Sequence, residues 1–415
     1  MDPEDYSDLL ADLAPPLGTE IVSAHEAIGR TTAGDVAAAH AVPAFPTSAM
    51  DGFALGREAW TAVREGDGVP VIGDVPAGHD SVPLRRCSAV RVMTGSPVPT
   101  GAEAVVPVEF TDARPTGPAP ESIRVASLPP TAGRGWNIRS VGEDIATGAL
   151  VVPSGSRLTA AGVGTLAMLG LDEVEVLRRP RVGVIVTGDE LRTLGSATPA
   201  PGAEATDTEP TDVPPPETEA AGPTIRNSNL PMLSSAISAL GCQPVEATCG
   251  DDTSEFLTLL RGMEDMVDLV LTTGGISAGA FEVVRQTLEG RRSRFVRLGM
   301  RPGAPQGFGR FGSLPLLHFP GTPQGAFLSF HLFAQSLLTG HSLRERWTKR
   351  VYQGPDLAEH PRAVTFGPGA FTGGGEVRDL GRSRLTNFAI ADVIVRIPRG
   401  TGTIAAGSII ECLDI

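Results

Sequence analysis

The chain has 415 residues, which exceeds one ordinary domain and implies about two to four. Apolar residues make up 41%, enough for real cores, while 50 glycines, 36 prolines and few aromatics favour turn-rich β units beside them. The formal charge is -14, and two base-free stretches, residues 1–12 with five acids and 196–223 with six, supply most of it. That balance excludes a broad nucleic-acid-binding face. It leaves room for a small anionic ligand where cations converge locally.

Cys87, Cys242, Cys249 and Cys412 form no CxxC pair and read as reduced core residues of a cytoplasmic protein. The N-terminus is acidic, unlike a secretory signal, and no apolar run approaches the ~20 residues of a membrane span. Lys349 is the sole lysine, so every other basic side chain of this kind is arginine.

In chain order, residues 1–42 read as a helix, a turn and a strand. In FPTSAMDGFA (45–54) the Asp51-Gly52 pair is a turn signal. Residues 43–139 carry short β-like runs such as AVRVMTG and AEAVVPVE between glycines and prolines, which predicts a small β domain. A helix is expected within 158–170, stopped by Gly170. From Arg181 the pattern becomes strand RVGVIVT, helix from Asn229 closed by Gly241, strand QPVEATC, helix TSEFLTLLRGME, strand DLVLTT, helix FEVVRQTLEG, strand LPLLHF and an apolar helix over 324–338. Such alternation predicts a parallel, doubly wound sheet. Residues 196–223, rich in Pro, Thr, Glu and Ala, read as a disordered loop interrupting it. The segment 341–415 reads as a small C-terminal β domain.

Ligands of doubly wound sheets bind beyond the carboxyl ends of the strands. The informative loops are therefore TGDEL (187–191), CGDD (249–252), TTGGISAG (272–279) and PGTPQG (320–325). TTGGISAG, with Thr273, Gly274, Gly275, Ser277 and Gly279, is either an anion site at a helix start or a plain tight turn. Glu190 and the pair Asp251–Asp252 are either helix caps or oxygen ligands for Mg²⁺. Arg301, in LGMRPGAPQGFG, is either an oxyanion-binding cation in a Pro/Gly-fixed turn or a solvated arginine. NIRSVGEDIATG places Asp144 in another turn, structural or functional. The histidines lack metal-ligand spacing, and no GxSxG elbow is present.

Taken together and in order, FPTSAMDGFA, RVMTGSPVPTGAEAVVPVE, NIRSVGEDIATG, VGVIVTGDEL, IRNSNLPML, GDD, LTTGGISAG, MRPGAP and FPGTP resemble the molybdenum insertases, the MoeA-like proteins that include the gephyrin E domain. The resemblance runs from about residue 20 to 340. It implies an α/β multidomain fold: a linker domain from residues 1–42 and 140–178, a small β domain at 43–139, a doubly wound molybdopterin-binding domain at 179–340 and a C-terminal β domain at 341–415. It implies an elongated homodimer with the site between subunits. It implies that adenylylated molybdopterin and molybdate react, with Mg²⁺, to give molybdenum cofactor and AMP. Carried over by motif, Asp51, Asp144, Glu190, Glu282 and Arg301 are catalytic, and Glu190 with Asp251 or Asp252 is metal-binding. Thr94, Thr273, Gly274, Gly275, Ser277, Gly279, Pro320, Gly321 and Pro323 hold the ligand.

The chain departs from the family pattern in three motifs. GGxSxGxxD ends here in Glu282, KPGKP is RPGAP with Arg301 and Ala304, and PGNPVS is PGTPQG with Thr322 and Gly325. Composition explains Lys→Arg but not the loss of a cation at Ala304. These departures set a transferase with an altered oxyanion site against a paralogue that binds the pterin without inserting metal. A hydrolase of nucleotide-like substrates is a weaker third reading.

Overall fold

The computed structural model describes residues 1–192, 224–277, 279 and 282–415. The acidic stretch 196–223 lies outside the described residues. The chain divides into two compact units, Thr19–Leu177 and Met1–Gly18 with Arg178–Ile415.

In the Thr19–Leu177 unit, strands β1 (Gly52–Gly56), β2 (Val69–Val75), β3 (Ala89–Val92), β4 (Ala102–Pro107) and β5 (Ser122–Ile123) form one sheet in the order β4-β1-β3-β2-β5. Helix α1 (Arg57–Glu65) buries Ala59, Trp60 and Val63. Gly66, at φ +90°, ends it, because a left-handed residue there costs glycine least. The segments flanking this sheet pair with each other: Thr19–Ser23 with Glu173–Leu177, Val36–Ala37 with Leu150–Val152 and Thr47–Ser48 with Ile138–Arg139. Helix α2 (Ala160–Met168) is capped by the Thr159 hydroxyl, which accepts from Gly162 N, and is followed by Gly170 at φ +68°.

In the other unit, strands β6 (Arg181–Thr187), β7 (Gln243–Cys249), β8 (Leu269–Thr273), β9 (Ser293–Arg297), β10 (Pro305–Phe311) and β11 (Leu314–Phe319) form a sheet ordered β7-β6-β8-β11-β10-β9. The four strands expected from the sequence are parallel. Along β6 and β8, alternate residues enter different cores: Val182, Val184, Val186, Leu269 and Leu271 face one, Ile185 and Val270 the other. Burial on both faces is why these strands are apolar throughout. Helix α3 (Asn229–Ala239) covers the first face through Leu230, Leu233 and Ile237. Helices α4 (Thr253–Met263) and α5 (Val283–Leu288) cover the second through Phe256, Leu260, Val283 and Val284.

Three expectations need correction. The sheet is not wholly parallel, because β10 and β9 extend it antiparallel. Residues 305–309, read as part of a turn, are strand: a Cβ on Gly309 would sit 2.0 Å from the Arg292 carbonyl, so glycine is what permits the pairing. Cys87, expected in a core, is exposed, while Cys242, Cys249 and Cys412 are buried. Helix Pro3–Leu10 packs within the Arg178–Ile415 unit, where the buried Tyr6 hydroxyl donates to Gly307 O at 3.1 Å.

The apolar segment after β11 runs as helix α6 (Pro323–Ser329), a π-turn at Phe330–Ala334 and a further helix to Thr339. A C-terminal sheet follows, in the order Met300–Arg301, Val364–Phe371, Val393–Ile397, Ile409–Asp414 and Thr348–Val351. Its edge strand Met300–Arg301 comes from the loop between β9 and β10, so Arg301 stands where the two sheets meet. Among the described residues no helix is long and apolar enough to cross a membrane.

His318, on β11, is fully buried between the Thr272 and Ser293 hydroxyls at 2.9 and 2.8 Å. Burial pushes its pKa down to about 3 from 6.5. Between those values only the unfolded chain takes up this proton, so stability falls as pH drops through the window. His331, pushed down to about 4 by burial, adds to the loss. His318→Gln should flatten the decline of urea-melt stability on acidification; an unchanged pH slope would show that His318 is not the group responsible.

Candidate functional site

The carboxyl ends of β6, β7, β8 and β11 frame a cavity of about 730 Å³. That size is ordinary for a small-molecule site. One side chain ties its floor together. The Asn229 Nδ2 donates to Thr273 Oγ1 at 2.9 Å and to Gly321 O at 2.8 Å. Thr273 Oγ1 in turn donates to Pro320 O at 2.9 Å. The start of α3 and the loops after β8 and β11 are thereby held together. Thr273, Gly274, Gly275, Ser277, Pro320, Gly321 and Pro323 all line the cavity, as do Val186, Asn227 and Thr187.

Gly274 and Gly275 sit at φ +93° and +64°. A Cβ on Gly274 would lie 2.8 Å from Thr187 O and 2.9 Å from its hydroxyl. Glycine is required there both for conformation and for close approach.

The acids sort themselves by geometry. Asp252 caps α4, accepting at Oδ1 from Ser254 N and Glu255 N at 2.8 Å each and from the Ser254 hydroxyl. Those bonds, the hydroxyl's first, hold its pKa below the ordinary value. Asp251 lines the cavity with Glu190, whereas Asp252 is not among the lining residues. Partial desolvation, followed by the carboxylates of Asp189, Glu190 and Glu282, pushes the Asp251 carboxyl up. Asp189, which sequence reading passed over, accepts from Asp251 N at 3.1 Å and links the loops after β6 and β7. No three acids, histidines or cysteines among the described residues form a metal cage by themselves.

Glu282 lines the same cavity but turns back on the glycine loop. Its Oε2 accepts from Ser277 N at 2.7 Å and its Oε1 from Gly279 N at 3.3 Å. Two N–H groups that a bound anion would use are therefore already paired with a carboxylate. Arg285 donates to Ser277 O at 3.2 Å on the other side of this turn.

Arg301 lines the main cavity and also a second one of about 570 Å³ that includes Asp379, Arg382 and Ser383. Ala304 and Arg297 line the main cavity beside it. Gly325 is buried one turn into α6, and a Cβ there would lie 2.6 Å from Thr322 Oγ1 and 3.1 Å from Pro320 Cβ. The Thr322 hydroxyl thus fills the space of a side chain at 325.

Asp51, Thr94 and Asp144 lie in the Thr19–Leu177 unit. Asp51 Oδ1 accepts from Thr94 N at 2.6 Å and from Thr94 Oγ1 at 2.8 Å. These bonds, the backbone one first, hold the Asp51 carboxyl below its ordinary range. Gly52 opens β1 rather than completing a turn, since a Cβ there would meet Val106 O at 2.1 Å. Asp144 is ion-paired with Arg139, whose second partner is Glu143 at 3.6 Å.

Fold and cavity together define an α/β ligand-binding protein whose small-molecule site lies at the carboxyl ends of a doubly wound sheet. Family models match on both halves: "MoeA N-terminal region (domain I and II)" over residues 1–170 and "Probable molybdopterin binding domain" over 183–340. The chain belongs to the MoeA family. Over 319 residues it is 39% identical to a Mycobacterium tuberculosis protein named Molybdopterin molybdenumtransferase 2, covering 74% of this chain and 71% of the relative. It is 30% identical to the Haemophilus influenzae molybdopterin molybdenumtransferase, covering 83% and 78%. The molybdopterin biosynthesis MoeA protein of Pyrococcus horikoshii OT3 has the same fold, with a TM-score of 0.78 at 23% identity and full coverage of both chains.

Gly325→Ser should cost about 1–3 kcal/mol in thermal or urea melts, as overpacking does at a filled site. Adding Thr322→Ala should recover part of that cost. A double variant no more stable than Gly325→Ser alone would show that the hydroxyl is not the obstacle.

Proposed function

We propose that this chain is a molybdopterin molybdenumtransferase: it inserts molybdate into adenylylated molybdopterin, releasing AMP and forming molybdenum cofactor. The cavity at the strand ends carries the reading, because it sets carboxylates and arginines around one ligand-sized space. Relatives bearing that activity in their names, at 30–39% identity over most of the chain, support it.

In this reading Asp251 and Glu190 face the phosphate-bearing part of the substrate and are the metal-binding acids. Their hard oxygens suit Mg²⁺, which commonly completes its shell with substrate phosphate and water. The crowding of Asp251 by Asp189, Glu190 and Glu282 is the electrostatic setting that a divalent cation relieves. Bound there, Mg²⁺ would neutralise phosphate charge and polarise the bond to the leaving AMP. Asp252 is occupied as a helix cap, so Asp251 is the acid of that pair in the reading. Arg301 and Arg297 attract the anionic substrates. Asp51, held ionised by Thr94, and Asp144 are proposed catalytic acids. Gly274, Gly275, Gly321, Pro320 and Pro323 let the backbone approach the ligand. An assembly of two copies and a cytoplasmic location belong to the same reading.

A second reading, a paralogue that binds the pterin without inserting metal, is favoured by Ala304 and by the Glu282 carboxylate on the loop N–H groups. Complementation of an insertase-deficient strain separates the two. Growth that depends on molybdenum enzymes should return, and Asp251→Asn should lower it at least about tenfold, the scale of one lost charged contact. Soluble protein that fails at every molybdate concentration would leave the binding reading standing. Ala304→Lys should shift the molybdate requirement to lower concentration; an unchanged requirement would mean that other groups already hold the oxyanion.

A further inference from the structure

The helix Pro3–Leu10 reaches three parts of its unit, and each of them borders the segment that carries Arg301. Just before it, Met1 O accepts from Gly299 N at 2.9 Å. In its first turn Glu4, 6% exposed, accepts at Oε1 from Arg396 Nε at 2.9 Å. Two residues on, the Tyr6 hydroxyl donates to Gly307 O, and the buried ring packs edge-on against Phe308 and Phe333.

Arg301 stands on a short piece of strand. Met300–Arg301 is an edge of the C-terminal sheet and pairs in parallel with Val364 and Thr365. Pro302 follows it and has no N–H to donate. The residue before it, Gly299, is bonded on both sides: its carbonyl accepts from Val364 N at 2.8 Å, and its N–H goes to Met1 O. The partner strand is tied to the same helix. Arg396, held by Glu4 and by Glu411 at 2.8 Å, stands opposite Phe366, next to the Thr365 that pairs with Arg301. One helix therefore braces both members of the pair that places Arg301 in the main cavity. A cation placed in advance gives up less freedom when it meets an anion, so bracing raises affinity without a new contact.

We infer that Glu4 and Tyr6 are positioning residues for anion binding: through them the helix Pro3–Leu10 holds Met300–Arg301 against Val364–Thr365 and so fixes where the Arg301 guanidinium stands. The inference rests on the proposed role of Arg301 as a cation for the anionic substrates.

The test titrates the full chain calorimetrically with molybdate and follows amide hydrogen exchange. Arg301→Ala sets the scale and should weaken molybdate about tenfold or more. Glu4→Ala should weaken it about fivefold, and Glu4→Gln, which keeps an acceptor for Arg396, should recover most of that loss. Tyr6→Phe keeps the ring packing, loses only the hydroxyl and should act in the same direction, which keeps the test open should Glu4→Ala fail to fold. On an Arg301→Ala background, Glu4→Ala and Tyr6→Phe should each change affinity by less than about twofold, because their effect runs through Arg301. A merely destabilising change would weaken binding on both backgrounds. Exchange over residues 299–301 should rise in the variants while that of β6 and β8 stays as in the wild type. Molybdate affinity unchanged by both Glu4→Ala and Tyr6→Phe, or an equal loss with and without Arg301, would overturn the inference. Molybdate binding indifferent to Arg301→Ala would instead overturn the proposed role of Arg301, and the inference with it.

Discussion

The architecture of the site depends on one amide. Asn229 sits at the start of α3, yet its two N–H donors end on Thr273 Oγ1 and Gly321 O, at the ends of β8 and β11. The sheet register brings those ends level, with Thr273 opposite Phe319. It does not hold the loops beyond them. The amide does, and it forces the chain close: a Cβ on Gly321 would lie 3.3 Å from Gly274 Cα. Each neutral hydrogen bond adds only about 0.5–1.5 kcal/mol net, but each broken one leaves a buried group costing about 1–3. The cavity floor is stable because its alternatives are expensive, not because its bonds are strong.

Charges of both signs line that cavity. Glu190, Asp251 and Glu282 line one cavity with Arg297 and Arg301. Burial first, and the neighbouring carboxylates after it, push the Asp251 carboxyl upward. Glu282 accepts from Ser277 N and Gly279 N. The neutral amides serve the backbone instead: Asn229 ties the loops after β8 and β11, and Asn227 accepts from Leu230 N.

Much of the fold was legible because burial on both faces leaves unbroken apolar runs, as in RVGVIVT and DLVLTT. The strand-end loops followed from that alternation, and with them Thr273, Gly274, Asp251 and Glu190. What escaped had competing local signals. The glycines of QGFGRF read as turn, while in the sheet they permit close pairing of β9, β10 and β11. Asp251 and Asp252 are identical in type, and only the direction of the helix start decides which one caps it. Asn227 and Asn229 look like ordinary polar residues before a helix. The importance of Asn229 lies in its partners, which are as distant in the chain as Gly321. Cys87 fails for the opposite reason, since a small apolar residue carries no signal of which side of a turn it faces.

The departures around the proposed oxyanion site differ in kind. Gly325 follows from Thr322: with the threonine hydroxyl 2.6 Å from where a Cβ would stand, a side chain at 325 and this rotamer exclude one another. A hydroxyl is therefore kept at the cavity, displaced by one turn. Glu282 keeps its charge but spends it on the loop backbone. Ala304 has no such counterpart. Its backbone carbonyl accepts from Leu298 N at 2.8 Å, which any residue there would do. Arg301 is held on the edge strand that pairs with Val364–Phe371, so it faces both cavities. In the proposed reading, an anion near this loop depends on Arg301, placed by the C-terminal sheet, and on Arg297, placed by the doubly wound one.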